Sequence, residues 1–201
     1  VRELCDEFSI LLILDEVMVG FGRTGSWWAF EQHHVVPDIV TMAKGINGGS
    51  VPLGAVAFSA WVAEPFASRP FPGGMTYSGH PLACAAAVGA MTAIEEDGLV
   101  ARAAAIGERL GPALRSLAQR HPVIGDVRGV GAFWCLELVG DRLTRAPLAA
   151  APLGPALLDR GVLGLIVGNR LHIAPPLVLT DAECDRGVAA IDDALQVLAH
   201  V

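Results

Sequence analysis

Lysine is nearly missing from this chain: 13 of its 14 basic residues are arginine, and Lys44 stands alone. Such an arginine bias ordinarily reflects genome composition. A lysine kept against it is informative wherever a neutral amine must attack a carbonyl, because arginine cannot take that role. Charge is scarce too. Charged residues are 17% of the 201, the net charge is −7, and there is no basic run, which argues against a nucleic-acid partner. Cys5, Cys84, Cys135 and Cys184 lie far apart and show no CxxC spacing. Neither a zinc site nor a disulfide framework is expected; four reduced, mostly buried cysteines of a cytoplasmic protein are. The longest apolar stretch, residues 82–94, is alanine-rich and shorter than the ~20 residues of a membrane span, so it is expected to be a buried helix. A secretory leader is not expected, because Val1-Arg2-Glu3-Leu4-Cys5-Asp6-Glu7 has a polar helical pattern.

Apolar residues, at 53%, are abundant for a soluble monomer, which points to surface buried against something else. The run Ser9-Ile10-Leu11-Leu12-Ile13-Leu14 is followed at once by Asp15-Glu16 and then by Gly20-Phe21-Gly22-Arg23-Thr24-Gly25. A continuous apolar run ending in acids and glycines reads as a central parallel strand of an α/β sheet, with Asp15 at the carboxyl end where ligands gather. Residues 39–43 form a second short run that ends at Lys44-Gly45, and residues 53–58 a third. Pro81 opens a helix that runs to about Glu96 and stops at Asp97-Gly98. A domain boundary is expected near residues 97–101, giving domains 1–98 and 99–201. Beyond it, residues 100–120 read as an amphipathic helix. Residues 123–128 and 132–139 read as strands joined at Gly129-Val130-Gly131. A loop over 141–152, a short helix over 155–160 and strands over 162–167 and 170–173 follow. Thr180-Asp181-Ala182-Glu183 is a capping box opening a last helix to about Ala199. Neither repeats nor low-complexity segments occur.

Three residue types from this inventory belong together chemically. A strand-end lysine forms an imine with an aldehyde, a strand-end aspartate pairs with a protonated ring nitrogen, and a Gly-rich Thr/Tyr/Ser loop donates to a phosphate. These are the demands that pyridoxal 5′-phosphate (PLP) makes of a protein, and Lys44, Asp15 and Thr76 supply them. Such residues are common at strand ends of α/β proteins, so the local strings carry the specificity. Asp15-Glu16-Val17-Met18-Val19-Gly20-Phe21-Gly22-Arg23-Thr24-Gly25 resembles the cofactor-aspartate segment of class III, fold-type I PLP-dependent aminotransferases. Pro37-Asp38-Ile39-Val40-Thr41-Met42-Ala43-Lys44-Gly45 resembles their Schiff-base lysine motif, followed by Pro52-Leu53-Gly54-Ala55. Gly74-Met75-Thr76-Tyr77-Ser78-Gly79-His80-Pro81 resembles their phosphate loop. Val127-Arg128-Gly129-Val130-Gly131 and Ala174-Pro175-Pro176-Leu177 resemble landmarks of their small C-terminal domain. The resemblance spans nearly the whole chain.

The resemblance implies an α/β fold: the C-terminal part of a large domain with a mostly parallel sheet, followed by a small α+β domain. It implies transamination through a Lys44 Schiff base, from an amine or amino acid donor to a keto acid such as pyruvate or 2-oxoglutarate. It implies PLP as cofactor and a homodimer with shared active sites, without nucleic acid or membrane. Asp15 then faces the pyridinium nitrogen. Val17, two positions on along the strand, packs on one ring face, and Thr76 binds the phosphate from the partner subunit. Many family members carry an arginine three residues before the first proline of Pro-Pro-Leu. Here that position is His172, and Arg170 lies two residues earlier. The Asn169-Arg170-Leu171-His172 form resembles taurine–pyruvate-type enzymes. Arg170 is chosen as the carboxylate or sulfonate clamp, with a surface arginine as its alternative and His172 as the other candidate. On a strand both face one side. Trp27, with Trp28 and Phe30, is placed at the substrate entrance or, alternatively, in interface or core packing. His33-His34 is read as loop surface and not as a metal site.

Members of this family are roughly twice as long, so the chain is expected to be a fragment or a split or truncated gene product. Alone, it is expected to expose a broken sheet edge and a dimer face. A same-fold aminomutase and a non-catalytic remnant acting as an interaction module are the alternatives. A Rossmann-type nucleotide binder fits poorly, because the Gly-rich string lacks GxGxxG spacing and follows Asp15.

Overall fold

In the computed structural model, which describes residues 1–198, the first apolar run yields only a short strand, because Ser9 and Ile10 still donate to the carbonyls of Asp6 and Cys5 in the preceding helix. Helix α1 (Arg2–Glu7) precedes strand β1 (Ile13–Asp15). Arg2 joins them to the next strand: it bridges Asp6 one turn on at 2.6 Å and Asp38 at 2.9 Å. Buried Asp38 also accepts the Leu12 N–H at 2.8 Å and the Trp61 indole N–H at 3.3 Å. Strands β2 (Ile39–Met42) and β3 (Ala55–Phe58) complete a three-stranded sheet in the order β1-β2-β3. β1 and β2 are parallel, with Asp15 opposite Thr41, and β2 and β3 are antiparallel. The parallel pair agrees with the expectation. β1, expected as a central strand, is an edge of this three-stranded sheet, and the expected exposed sheet edge lies there, with Ile10, Leu11 and Ile13 exposed.

Short helix α2 (Ala60–Ala63) follows β3, and helix α3 (Pro81–Glu96) follows a long exposed stretch. α3 has the expected bounds, with Pro81 at its first turn, where a missing N–H costs nothing. Its Ala83, Ala87 and Ile94 are buried and its Leu82 and Val88 exposed. It packs against the 3-10 turn Lys44–Asn47. Phe21, Ile46, Ala87 and Ile94 form the small core of this unit, Val1–Val100.

The second unit, Ala101–Val201, has its own core. Helix α4 (Leu99–Arg120) supplies Ile106, Leu110, Leu114 and Leu117 to it, at the three-, four- and seven-residue spacings of a helix face. Strands β4 (Ile124–Val130) and β5 (Phe133–Leu138) form a hairpin. Gly129 and Val130 belong to β4, so the turn is Gly131-Ala132, shorter than expected. Gly131 takes φ +55 there, which a two-residue hairpin loop demands of glycine. Helix α5 (Leu153–Leu158), strands β6 (Leu165–Val167) and β7 (Arg170–Ile173) and helix α6 (Asp181–Leu195) follow. The four-stranded sheet runs β4-β5-β7-β6, all antiparallel, as an α+β unit requires. The capping box is present: Thr180 Oγ1 accepts the Glu183 N–H and the Glu183 carboxylate accepts the Thr180 N–H. A 3-10 turn, Gln196–Leu198, follows α6, and the expected end near Ala199 lies outside the described residues. Arg142 closes the end of α4 by donating to the carbonyls of Ala118, His121, Pro122 and Ile124.

Cys5 and Cys184 are buried, Cys135 is half-buried and Cys84 is exposed. Burial is thus less general than expected, because Cys84 lies on the outer side of α3. None of the four is in a disulfide.

Candidate active site

Lys44 and Asp15 come to the same edge of the first sheet because β1 and β2 are parallel neighbours. Asp15 ends β1 opposite Thr41, and Lys44 lies three residues beyond Thr41, just past the end of β2. The carboxyl ends of adjacent parallel strands are where α/β sheets bind ligands. Lys44 takes φ +40, a left-handed conformation uncommon outside glycine, and starts the 3-10 turn. Its side chain is exposed, and no hydrogen bond or ion pair holds it among the described residues.

The turn beneath it is tightly built. Asn47 is buried; its amide donates to the Val51 carbonyl and its Oδ1 accepts the Gly49 N–H at 3.2 Å. Gly45 lies against Phe21: a Cβ on Gly45 would meet the Phe21 Cβ at 2.9 Å. Phe21 packs edge-on to Trp28 with ring centres 4.9 Å apart, and Trp28 is parallel to Phe30. Trp27 is half-buried and packs against the Phe21 core.

The adjacent acids Asp15 and Glu16 have opposite fates. Asp15 is exposed, and its Oδ1 accepts the Val17 N–H at 2.8 Å. Glu16 is 3% exposed; its carboxylate accepts the Ala29 N–H at 2.9 Å and the Phe30 N–H at 3.1 Å. Glu16 thus fastens the start of the 3-10 turn Ala29–His33, and only Asp15 has a carboxylate open to a ligand. This difference was missed in the sequence; the alternation of a strand is its one local sign. Val17 is not on the strand as expected. β1 ends at Asp15, and the Val17–Asp15 bond together with a Gly20 N–H to Glu16 carbonyl bond at 2.9 Å turns the chain away. Val17 is half-buried in that turn.

Thr76 is exposed, as is every residue from 71 to 80. Its loop is closed by Ser78, whose Oγ accepts the Met75 N–H at 3.0 Å and whose N–H donates to the Met75 carbonyl at 2.9 Å. Met75 and Tyr77, flanking Thr76, are 82% and 80% exposed.

Arg170 and His172 lie in the second unit, on one face of β7, as the alternation required. Arg170 is exposed and stands opposite Glu137 of β5. Oε2 of the Glu137 carboxylate accepts from Arg128 at 3.0 Å and from Arg145 at 2.9 Å. Arg170 is left without a hydrogen bond or ion pair among the described residues. His172 stacks on Phe133 with ring centres 6.2 Å apart, and its buried Nδ1 has no partner. It lines a cleft of about 480 Å³ with Leu110, Leu171, Pro175, Cys184 and Ile191. His33 and His34 are exposed, and no group of three His, Cys, Asp or Glu among the described residues is placed to hold a metal. No described helix is long and apolar enough to cross a membrane.

A model of the family described as aminotransferase class-III matches residues 1–195. The taurine–pyruvate aminotransferase of Rhodobacter capsulatus is 41% identical over 99% of this chain and 47% of its own length. The 5-aminovalerate aminotransferase DavT of Pseudomonas putida is 43% identical over 98% of this chain and 47% of its own. The crystal structure of taurine:2-oxoglutarate aminotransferase from Bifidobacterium kashiwanohense, in complex with PLP and glutamate, superposes with a TM-score of 0.95 at 35% identity. It is matched over 99% of this chain and 46% of that one. The chain therefore spans about half the length of the relatives it matches.

Proposed function

The chain belongs to the class-III aminotransferase family, and from that premise we propose that it is part of a PLP-dependent transaminase whose Lys44 attaches the cofactor. The reading is carried by one observation: the sole lysine and the exposed Asp15 stand at the carboxyl ends of two hydrogen-bonded parallel strands, both open to a ligand. The donor set fits PLP. An unpaired amine suits its aldehyde, and a carboxylate with one oxygen used by the Val17 N–H and one left over suits its ring nitrogen. PLP, when bound, supplies an electron-accepting ring and the carbon that carries the amino group.

The roles of the chain's own residues follow from their chemistry. Asp15 holds the proton on the ring nitrogen by charge. Lys44 Nζ takes and returns the proton at the substrate Cα. Val17 packs on the ring, and Trp27 borders the substrate entrance. Thr76 donates its hydroxyl to the phosphate of a second copy in a homodimer, and the exposure of its loop, Met75 and Tyr77 included, supports this. Arg170 holds the acidic group of the substrate, supported by its lack of an acidic partner, with His172 beside it on the strand. The amino acceptor is a keto acid such as pyruvate or 2-oxoglutarate. The domain limits are 1–98, the C-terminal part of a PLP-binding large domain, and 99–201, a small C-terminal domain. The location is cytoplasmic, as the spacing of four cysteines without a CxxC pair favours.

The test is chemical. Borohydride reduction of the PLP-loaded protein, followed by peptide mapping, is expected to place the pyridoxyl mass on the peptide containing Met42-Ala43-Lys44-Gly45. A mass found elsewhere, or none, removes Lys44 from this role.

A further inference from the structure

Glu16 is a buried acid with no cation beside it among the described residues, one position from the acid proposed to face the cofactor. Burying an ionised carboxylate costs several kcal/mol unless hydrogen bonds replace its water, so such a group marks a place where geometry is being enforced. Its bonds show what is enforced. The Glu16 N–H donates to the Thr41 carbonyl at 2.9 Å, tying the end of β1 to β2 just before Lys44. Its carbonyl accepts the Gly20 N–H at 2.9 Å, shaping the turn that leads to Phe21. Its carboxylate accepts the N–H groups of Ala29 and Phe30, which fixes Trp28 in front of them. Trp28 then closes on the turn: a Cβ on Gly20 would lie 3.0 Å from its ring. Trp28 also backs Phe21, and Phe21 backs Gly45, the neighbour of Lys44.

Resting on the transaminase reading, we propose that Glu16 is a positioning residue that sets Lys44 and Asp15 relative to each other. Its side chain works through one route, from its carboxylate through Trp28 and Phe21 to the Lys44 turn. The backbone tie to Thr41, which any residue here makes, fixes the strand end from which that route starts. The route ends on a lysine whose φ of +40 is held by contacts of the turn and not by its own preference. Glutamine cannot substitute, because its amide offers one accepting oxygen and one NH₂ where two backbone N–H donors converge.

The experiment compares Glu16→Gln, Asp15→Asn and Arg142→Ala in the PLP-loaded holoprotein. Its readouts are the PLP dissociation constant, the circular dichroism of the bound-cofactor band, and the melting temperature without PLP. Glu16→Gln is expected to weaken PLP binding at least 10-fold and to change the intensity of the dichroic band, which reports how the ring is held. Arg142→Ala, which opens the end of α4 in the other unit, is expected to lower the melting temperature with PLP affinity and the dichroic band unchanged. If Glu16→Gln behaves like Arg142→Ala, losing stability while PLP affinity stays within twofold and the band is unaltered, Glu16 is only structural and the proposal is overturned. Failure of the underlying reading shows separately: Asp15→Asn then leaves the cofactor absorbance and turnover as in the unaltered protein, whatever Glu16→Gln does.

Discussion

Phe21 closes the back of the Lys44 turn by packing on Gly45, so closely that a Cβ on Gly45 would lie 2.9 Å from the Phe21 Cβ and 3.2 Å from its ring. The aromatic ring occupies the space a side chain would need, and its own φ of +58 shows that the Gly-rich loop is bent to deliver it there.

Gly45→Ala is therefore expected to push the Lys44 turn away from Phe21. Overpacking of this kind costs about 1–3 kcal/mol. Calorimetry is expected to show that loss of stability, and absorbance titration weaker retention of PLP. An alanine variant with unchanged melting and unchanged PLP affinity would show that the contact relaxes freely.

Lys44→Arg separates amine chemistry from charge. Arginine keeps the positive charge but forms no imine under these conditions. Both Lys44→Arg and Lys44→Ala are expected to lose transamination and the bound-cofactor band while keeping their far-ultraviolet dichroism, because the exposed Lys44 side chain fills no core. Turnover by the arginine variant would sink the central assignment.

Arg170→Ala is expected to raise KM for the acidic substrate while PLP affinity stays the same. Loss of a charged hydrogen bond costs about 1.5–3 kcal/mol, or roughly 10- to 100-fold in kcat/KM. Steady-state kinetics with a carboxylate and a sulfonate donor check it. If only His172→Ala has this effect, the clamp is at that position.

Acid stability is expected to depend on Asp38. The Leu12 N–H, and after it Arg2, hold its carboxyl below the ordinary 3.8. A depressed folded value means that the ionised form stabilises the fold. This contribution is complete above the unfolded value and is lost as pH falls through the folded one, so it disappears below about pH 4. Asp38→Asn is expected to flatten the fall of the urea midpoint over that acid range and to leave its shape near neutrality alone. An unchanged acid limb would show that other carboxylates govern it.

Local pattern made much of this protein legible. The Thr180 capping box, the bounds of α3 and the face of α4 depend on residues three to seven apart, and their spacing alone reports them. Lys44 was visible for a different reason, as the one amine in an arginine-rich chain, and its place at a strand end followed from the apolar run before it. The strand order β4-β5-β7-β6 was not legible, because pairing partners are chosen by burial and register across long separations.

The sequence by itself determined which residue types stand where two parallel strands end: an amine after β2 and a pair of acids after β1. Only the tertiary structure decided between those acids. Glu16 turns inward because the N–H groups of Ala29 and Phe30, 13 and 14 residues on, return to meet it, and Asp15 is left facing outward. Likewise, Arg128 and Arg145 converge on Oε2 of Glu137, whereas the side chain of Arg170, its cross-strand neighbour, makes no ion pair with it. Both outcomes are competitions for a single carboxylate among donors distant in the chain, and such competitions are settled by three-dimensional placement and not by local propensity.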